Sequence, residues 1–155
     1  MSLESVRSWL AERAPDLPII EVSESTATVA DAASALGVEP GRIAKTLAVR
    51  VDGHFFLLVT RGDARLDNAK TKARFGGRPR MLGPDETFAL TGHRVGWVCP
   101  FGLATPIPVY CDISLRAFDI VYPAAGSLNS SVRVPTERLF RLVARDWVDL
   151  CTLPG

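Results

Sequence analysis

Two histidines, His54 and His93, and three cysteines, Cys99, Cys111 and Cys151, are all that this 155-residue chain offers for zinc or thiol chemistry. No HExxH segment and no CxxC pair is present, so the spacings of common zinc sites are missing. GxSxG and the phosphate-binding P-loop pattern are missing too. An odd number of cysteines without paired spacing argues against a secreted disulfide framework and for a reducing cytosol. Cys99 lies in a loop bounded by Gly and Pro and could act as a nucleophile. Neither histidine stands in a recognisable partner motif, however, and a small buried thiol is the commoner use of such a residue. No run approaches the ~18 apolar residues of a membrane span. The first fifteen residues carry charges throughout, which excludes a signal peptide. The expectation is a soluble cytoplasmic protein with no membrane partner. Lys plus Arg number 18 against 17 Asp plus Glu, a net charge of +1 that is too small for wholesale wrapping of nucleic acid and leaves only a local patch open.

What the chain has in quantity is apolar surface. With 47% hydrophobic residues, residues 1–155 read as one domain, long enough to bury roughly two thirds of its unfolded surface without a metal or disulfide staple. Its centre is residues 41–51, GRIAKTLAVRV, which read as a buried strand with Lys45 at its mouth. From Lys45 the side chains alternate, so Leu47, Val49 and Val51 share its face while Thr46, Ala48 and Arg50 share the other. A lysine heading an apolar row is either a rim residue that snorkels into water or a site residue. Periodicity alone leaves both open.

Along the chain, Ser2 is placed to cap a first helix whose Val6, Trp9, Leu10 and Arg13 lie near one face, and Pro15 and Pro18 stop it. Residues 19–22 read as a short strand. Thr28, with Asp31 three residues on, predicts a capped helix closed by Gly37, Ala-rich and buried. Pro40 and Gly41 turn into the Lys45 strand, and Asp52-Gly53 signals a hairpin to residues 54–60. Asp67 caps a helix that ends at Gly76, a short strand follows near Met81, and Pro84 opens a helix that closes at Gly92. Residues 106–113, 118–122 and 131–134 read as strands, and Pro135 opens a last helix with Leu139, Leu142 and Val143 inward. Helices interspersed with hairpins, rather than strict βαβ alternation, predict a mixed α/β (α+β) fold. Its sheet should be curled and largely antiparallel, a pseudo-barrel surrounded by helices.

Residues 61–80 concentrate positive charge, with seven Arg and Lys against Asp63 and Asp67. Lys70, Lys72 and Arg74 on the helix are the candidate phosphate contacts. Phe75 is the only aromatic residue in the run, so binding here would be to backbone rather than to stacked bases. A solvated helix face is the plainer use of such a run. Residues 93–102, HRVGWVCPFG, place Gly96 and Pro100 four apart with Gly102 beyond. A loop so punctuated can bring backbone amides close to a ligand, since Gly permits near approach and Pro fixes the chain direction. With metal and covalent chemistry set aside, a lysine, amides and small polar side chains such as Thr46, Asn129 and Ser131 remain. Those can bind an anion or an ester carbonyl.

The combination of IAKTLAV around Lys45, LDNAKTKARFG, TGHRVGWVCPFG and VYPAAGSLNSSVRV strongly resembles the YbaK/ProX family, the prolyl-tRNA synthetase-associated (INS-like) editing domain. The likeness runs in order from about residue 28 to residue 150. It implies an aminoacyl-tRNA deacylase acting in trans, which hydrolyses a small wrongly attached amino acid from a tRNA, most simply a proline-type one. It implies no cofactor and no metal. The partners it implies are the acceptor end of the misacylated tRNA and, as a second possibility, prolyl-tRNA synthetase. By resemblance Lys45 anchors the carbonyl oxygen or terminal phosphate region as a point charge, and the loop from Gly96 to Pro100 supplies amides to the carbonyl. Thr28, Thr46, Ala124, Gly126, Asn129 and Ser131 are the candidate walls that size the amino acid. The chemistry is consistent with this reading. A synthetase discriminates a missing methylene by only about 1–3 kcal/mol, so small amino acids leak onto the wrong tRNA and a second sieve is useful. Two departures mark the loop: Trp97 stands where many relatives have a second Gly, and Cys99 where they have Ser. Cysteine-removing members tend to carry an acid near Ser131 and some alanine-removing members a histidine near Asn129. The amino acid therefore stays open among alanine, cysteine, serine, threonine and non-protein analogues. A non-catalytic tRNA-binding or synthetase-associated module of the same fold is the alternative.

Overall fold

The structure, a computed structural model, describes residues 2–154. In chain order its elements are α1 (Ser2–Arg13), β1 (Ile19–Glu21), α2 (Val29–Leu36), β2 (Ile43–Val51), β3 (His54–Arg61), β4 (Arg65–Leu66), α3 (Asn68–Phe75), β5 (Pro79–Met81), α4 (Pro84–Thr91) and β6 (Val109–Asp112). Then follow β7 (Ile120–Pro123), β8 (Ser130–Val132), β9 (Val134–Pro135), α5 (Thr136–Val143), β10 (Asp146–Val148) and β11 (Cys151–Thr152).

The nucleus is the β2–β3 hairpin, closed at Asp52, whose φ of 52° a short polar residue tolerates better than a branched one. Eight residue pairs from Ala44↔Arg61 to Val51↔His54 hold the two strands antiparallel. Around it runs a sheet in the order β10-β6-β3-β2-β7-β9, with β5 also pairing to β2. Among the described residues five of eight strand pairings are antiparallel and three parallel. This is the mixed, largely antiparallel architecture that the order of elements predicts, with five helices around it.

Both faces of the hairpin are covered. Val49, Val51, Phe56 and Leu58 enter one core together with Ala64, Val148 and Leu150. Ala44, Ala48, Leu57 and Val59 enter a larger one with Val6, Leu10, Phe101 and Leu139. The first is sealed by aromatic rings: Phe75 of α3 stacks on Phe56 with centroids 4.7 Å apart, and Tyr110 meets both edge-on.

The helix signals hold. Thr28 Oγ1 accepts from the Asp31 amide at 3.0 Å and Asp67 Oδ1 from the Lys70 amide at 2.9 Å. The helices they cap stop before Gly37 and Gly76. Several details differ. Ser2 lies within α1, and its hydroxyl faces Nδ1 of His93 instead of a helix amide. In α2 only Ala32 and Ala33 are buried; Ala30 is exposed and Ala35 half-buried. Residues 40–42 form a 3-10 turn before β2, β6 begins only at Val109, and the strand expected over 131–134 is split into β8 and β9. β4, β10 and β11, of two or three residues each, have no counterpart among the expected strands. β10 pairs in parallel with β6, and β11 antiparallel with β4.

Candidate active site

Lys45 sits near the start of β2 and Thr46 directly after it, so one strand sends a cation to one side and a hydroxyl to the other. Where β2 meets α2, β7 and the loop at Gly96, a small cavity of about 120 Å³ opens. That is well under the ~300–1,000 Å³ of sites for drug-sized ligands. Of the residues singled out from sequence, Thr28, Lys45, Thr46, Gly96, Ala124 and Ser131 line it. Thr26, Ile43, Val98 and Tyr122 are among its other walls, with small aliphatic residues of α2 and β2, and were not legible as such. Tyr122 arrives only because β7 pairs in parallel with β2, opposite Ile43.

The remaining candidates stand elsewhere. Pro100 is buried behind the loop and does not line the cavity. Gly126 and Asn129 line a separate groove of about 720 Å³ with Leu3, Trp97 and Leu128. Asn129 ties down the chain after β1, donating from Nδ2 to the Val22 carbonyl at 2.8 Å. Gly126 lets the start of α1 approach, since a Cβ there would lie 2.8 Å from the Ser2 carbonyl carbon.

The Lys45 ammonium donates to the Ala64 carbonyl at 2.6 Å. An ammonium has three donors, and no second acceptor holds it among the described residues. Burial pulls its pKa below the usual 10.5, with Asp63 pulling the other way and Arg65 adding to the fall. Asp63 is itself occupied by Arg61, at 2.6 and 2.8 Å. Gly96 has φ 107°, a conformation side chains rarely adopt, with only Ala27 Cβ at 3.9 Å near the place a Cβ would take.

His93 and Cys99 are brought together, unlike anything their motifs announced. The cysteine Sγ lies 3.5 Å from Nε2, which also meets the Phe101 carbonyl at 2.6 Å, and Nδ1 meets Ser2. Burial lowers the His93 pKa and pushes the Cys99 thiol up to about 12. A neutral, fully hydrogen-bonded imidazole beside a protonated thiol is a fastening for α1 and the loop, the opposite of an activated nucleophile. Among the described residues no three His, Cys, Asp or Glu side chains converge as a metal site would require, and no helix is long and apolar enough to cross a membrane.

The basic run is less bare than its sequence suggests. Lys70 Nζ reaches Asp149 at 2.9 Å and the Cys151 carbonyl at 2.8 Å, and Arg74 lies 3.6 Å from Asp146. Lys72 is exposed and forms no ion pair among the described residues. Acids more than seventy residues downstream thus offset part of the excess.

The pocket thus combines one cation, Lys45, with the hydroxyl side chains of Thr26, Thr28, Thr46 and Ser131 among largely aliphatic walls. The chain belongs to the aminoacyl-tRNA editing domain family, whose model matches residues 23–142. It is 42% identical over 153 residues to the uncharacterized protein YwhH of Bacillus subtilis (strain 168), covering 97% of this chain and 98% of that one. It is 30% identical over 104 residues to the proline–tRNA ligase of Bacillus licheniformis, covering 66% of this chain but only 18% of the ligase. Among solved structures, a candidate trans-editing enzyme for prolyl-tRNA synthetase superposes with TM-score 0.88 at 33% identity, over 99% of this chain and 98% of that one. The family and fold read from the motifs are those found.

Proposed function

We propose that this chain hydrolyses the ester joining a small, wrongly attached amino acid to tRNA, acting in trans, with a proline-type tRNA as its substrate. The observation that carries the reading is the small cavity at which Lys45, Thr46, Ser131 and Gly96 meet. Water attacks the ester carbonyl carbon, the bond to the ribose oxygen breaks, and that oxygen takes the proton the water gives up. Free amino acid and uncharged tRNA leave. The ester is already reactive, so positioning and donors for the developing oxyanion suffice. Amides of the loop around Gly96 serve as those donors, each worth about 3 kcal/mol in a well-organised site. The remaining Lys45 donors hold the carbonyl oxygen or neighbouring phosphate as a point charge. Ala124, Thr28 and Ser131 bound the side chain, which limits it to a small residue. Pro100 acts at one remove by directing the loop. Lys70, Lys72 and Arg74 meet the RNA backbone, Lys72 most directly.

The test is a panel of tRNAs mischarged with alanine, cysteine, serine or threonine, incubated with the wild type and with Lys45→Ala and followed for ester loss. Release by the wild type and a marked loss in the variant are expected. No release from any member of the panel ends the deacylase reading in favour of a binding module, and equal release by the variant removes Lys45 from the mechanism.

A further inference from the structure

The carbonyl that holds Lys45 belongs to a turn directly after β3, residues 61–64, Arg-Gly-Asp-Ala. The Ala64 amide closes that turn on the Arg61 carbonyl at 3.1 Å. Gly62 packs against the pocket from outside: a Cβ there would lie 2.7 Å from Val29, a pocket wall, and closer still to the Pro40 carbonyl oxygen. The turn is thereby seated, and it presents Ala64 to the ammonium at 2.6 Å. The same seat brings the carboxylate of Asp63, one residue before Ala64, into the field of Lys45. A carboxylate free to turn there would take the ammonium donors that Ala64 leaves open. Arg61 prevents it. Its Nε donates to Asp63 Oδ1 at 2.6 Å and its Nη2 to Oδ2 at 2.8 Å, so both oxygens are held. A bidentate fork fixes direction as well as strength. The guanidinium is aimed in turn by the Phe118 ring, 4.9 Å away. At Gly41 a Cβ would lie 2.7 Å from that ring and 3.0 Å from Arg61, so the packing has no slack. A partly exposed ion pair adds little to stability.

We propose that Arg61 is a positioning residue for the deacylation site: by clasping Asp63 it keeps that carboxylate off Lys45 and leaves the ammonium two donors for the substrate. The proposal rests on the deacylase reading, in which those donors hold the ester carbonyl or a phosphate. The electrostatics agree with the geometry. Burial lowers the Lys45 pKa most, Cys151 and Asp63 oppose the fall, and Arg65 adds to it. Burial pushes the Cys151 thiol up to about 11, so at neutral pH it carries no charge. Asp63 is then the one anion among these neighbours. Arg61 itself is held charged by Asp63, with Glu39 adding to the effect.

The test compares Arg61→Met, Asp63→Asn and the double variant. All three lose the clasp, but only Arg61→Met leaves a bare carboxylate beside Lys45. The Lys45 pKa is read by NMR from the carbon-13 shift of lysine Cε against pH; the chain has only Lys45, Lys70 and Lys72, and Lys45→Arg identifies the signal. Arg61→Met should raise that pKa by about one unit or more. It should lower kcat/KM on mischarged tRNA about 10-fold or more, since each unit is a tenfold cost to a substrate that must displace the carboxylate. Asp63→Asn and the double variant should return both readings toward wild type, and Arg61→Lys should recover part of the loss. Both Met variants lack Arg61, so the rescue cannot come from restored packing. Equal losses in Arg61→Met and Asp63→Asn, a double variant no better than Arg61→Met, or an unmoved Lys45 pKa would each overturn the proposal and leave the clasp a fastening of the turn. A Lys45 pKa that responds as expected in a protein that releases no amino acid keeps the clasp's hold on Lys45 and loses the deacylase reading. Deacylation that ignores Arg61→Met does the reverse.

Discussion

The two faces of β2 are built to different ends. On the side of Lys45, the apolar row of Leu47, Val49 and Val51 meets Leu58, Phe56 and the Phe75–Tyr110 ring cluster, and only its end, where Lys45 lines the pocket with one of three donors bonded, is open. Lys45 bonds to Ala64, and Thr60 to Ser114. On the side of Thr46, small residues leave gaps, and Thr46 Oγ1, Arg50 Nε and the facing Thr87 Oγ1 stay buried without partners. One face is closed by shape and contributes stability. The other keeps buried polar atoms without partners behind the wall of the small pocket, a cost in stability rather than a gain.

The sharpest way to break this contrast is to truncate each face. Leu58→Ala, at a fully buried position, should cost about 2–5 kcal/mol in denaturant unfolding, with the folded fraction still active. Thr46→Val should be neutral or stabilising, so a comparable loss there would show that the faces do not differ. Gly96→Ala has room for its methyl but must hold φ 107°, a strain of about 1–3 kcal/mol. Its deacylation should fall much further than its melting temperature. Equal falls would make the loop merely structural.

Two pH experiments refine the picture. The Lys45 pKa is lowered in the fold, so its charge is lost as pH rises through a value below 10.5, and stability increases from there toward 10.5. The ratio of wild-type to Lys45→Met deacylation rates should decline toward one over that range, and a flat ratio would deny the charge a role. His93, also lowered, is neutral in the fold, so stability is fully present above 6.5 and is lost as pH falls below 6.5 and through the folded pKa. His93→Asn should flatten that dependence in urea melts between mildly acid and neutral pH. The smallest effect is expected on the covered side: Lys72→Glu should reduce the slope of log tRNA affinity against log salt by about one. Lys70→Glu would also break the contacts to Asp149 and Cys151. An unchanged slope for Lys72→Glu would return α3 to a plain solvated face.

By itself the sequence determined whatever depends on neighbours along the chain. The caps at Thr28 and Asp67, the turn at Asp52 and the alternation from Lys45 follow from local hydrogen bonding, backbone sterics and the two-residue period of a strand. The motif set around Lys45 and Gly96 was enough to place the family. Tertiary structure decided what depends on distance through space. It drew six of the candidate residues into one small pocket and left Asn129 and Gly126 holding loops outside it. It spent part of the positive charge of α3 on Asp146 and Asp149. It turned His93 and Cys99 into a buried fastening. It also set Thr87, one polar residue on a short helix with nothing local to distinguish it, opposite Thr46 with its hydroxyl unpaired. Such juxtapositions come from which faces the sheet curls together, and no short-range pattern encodes them.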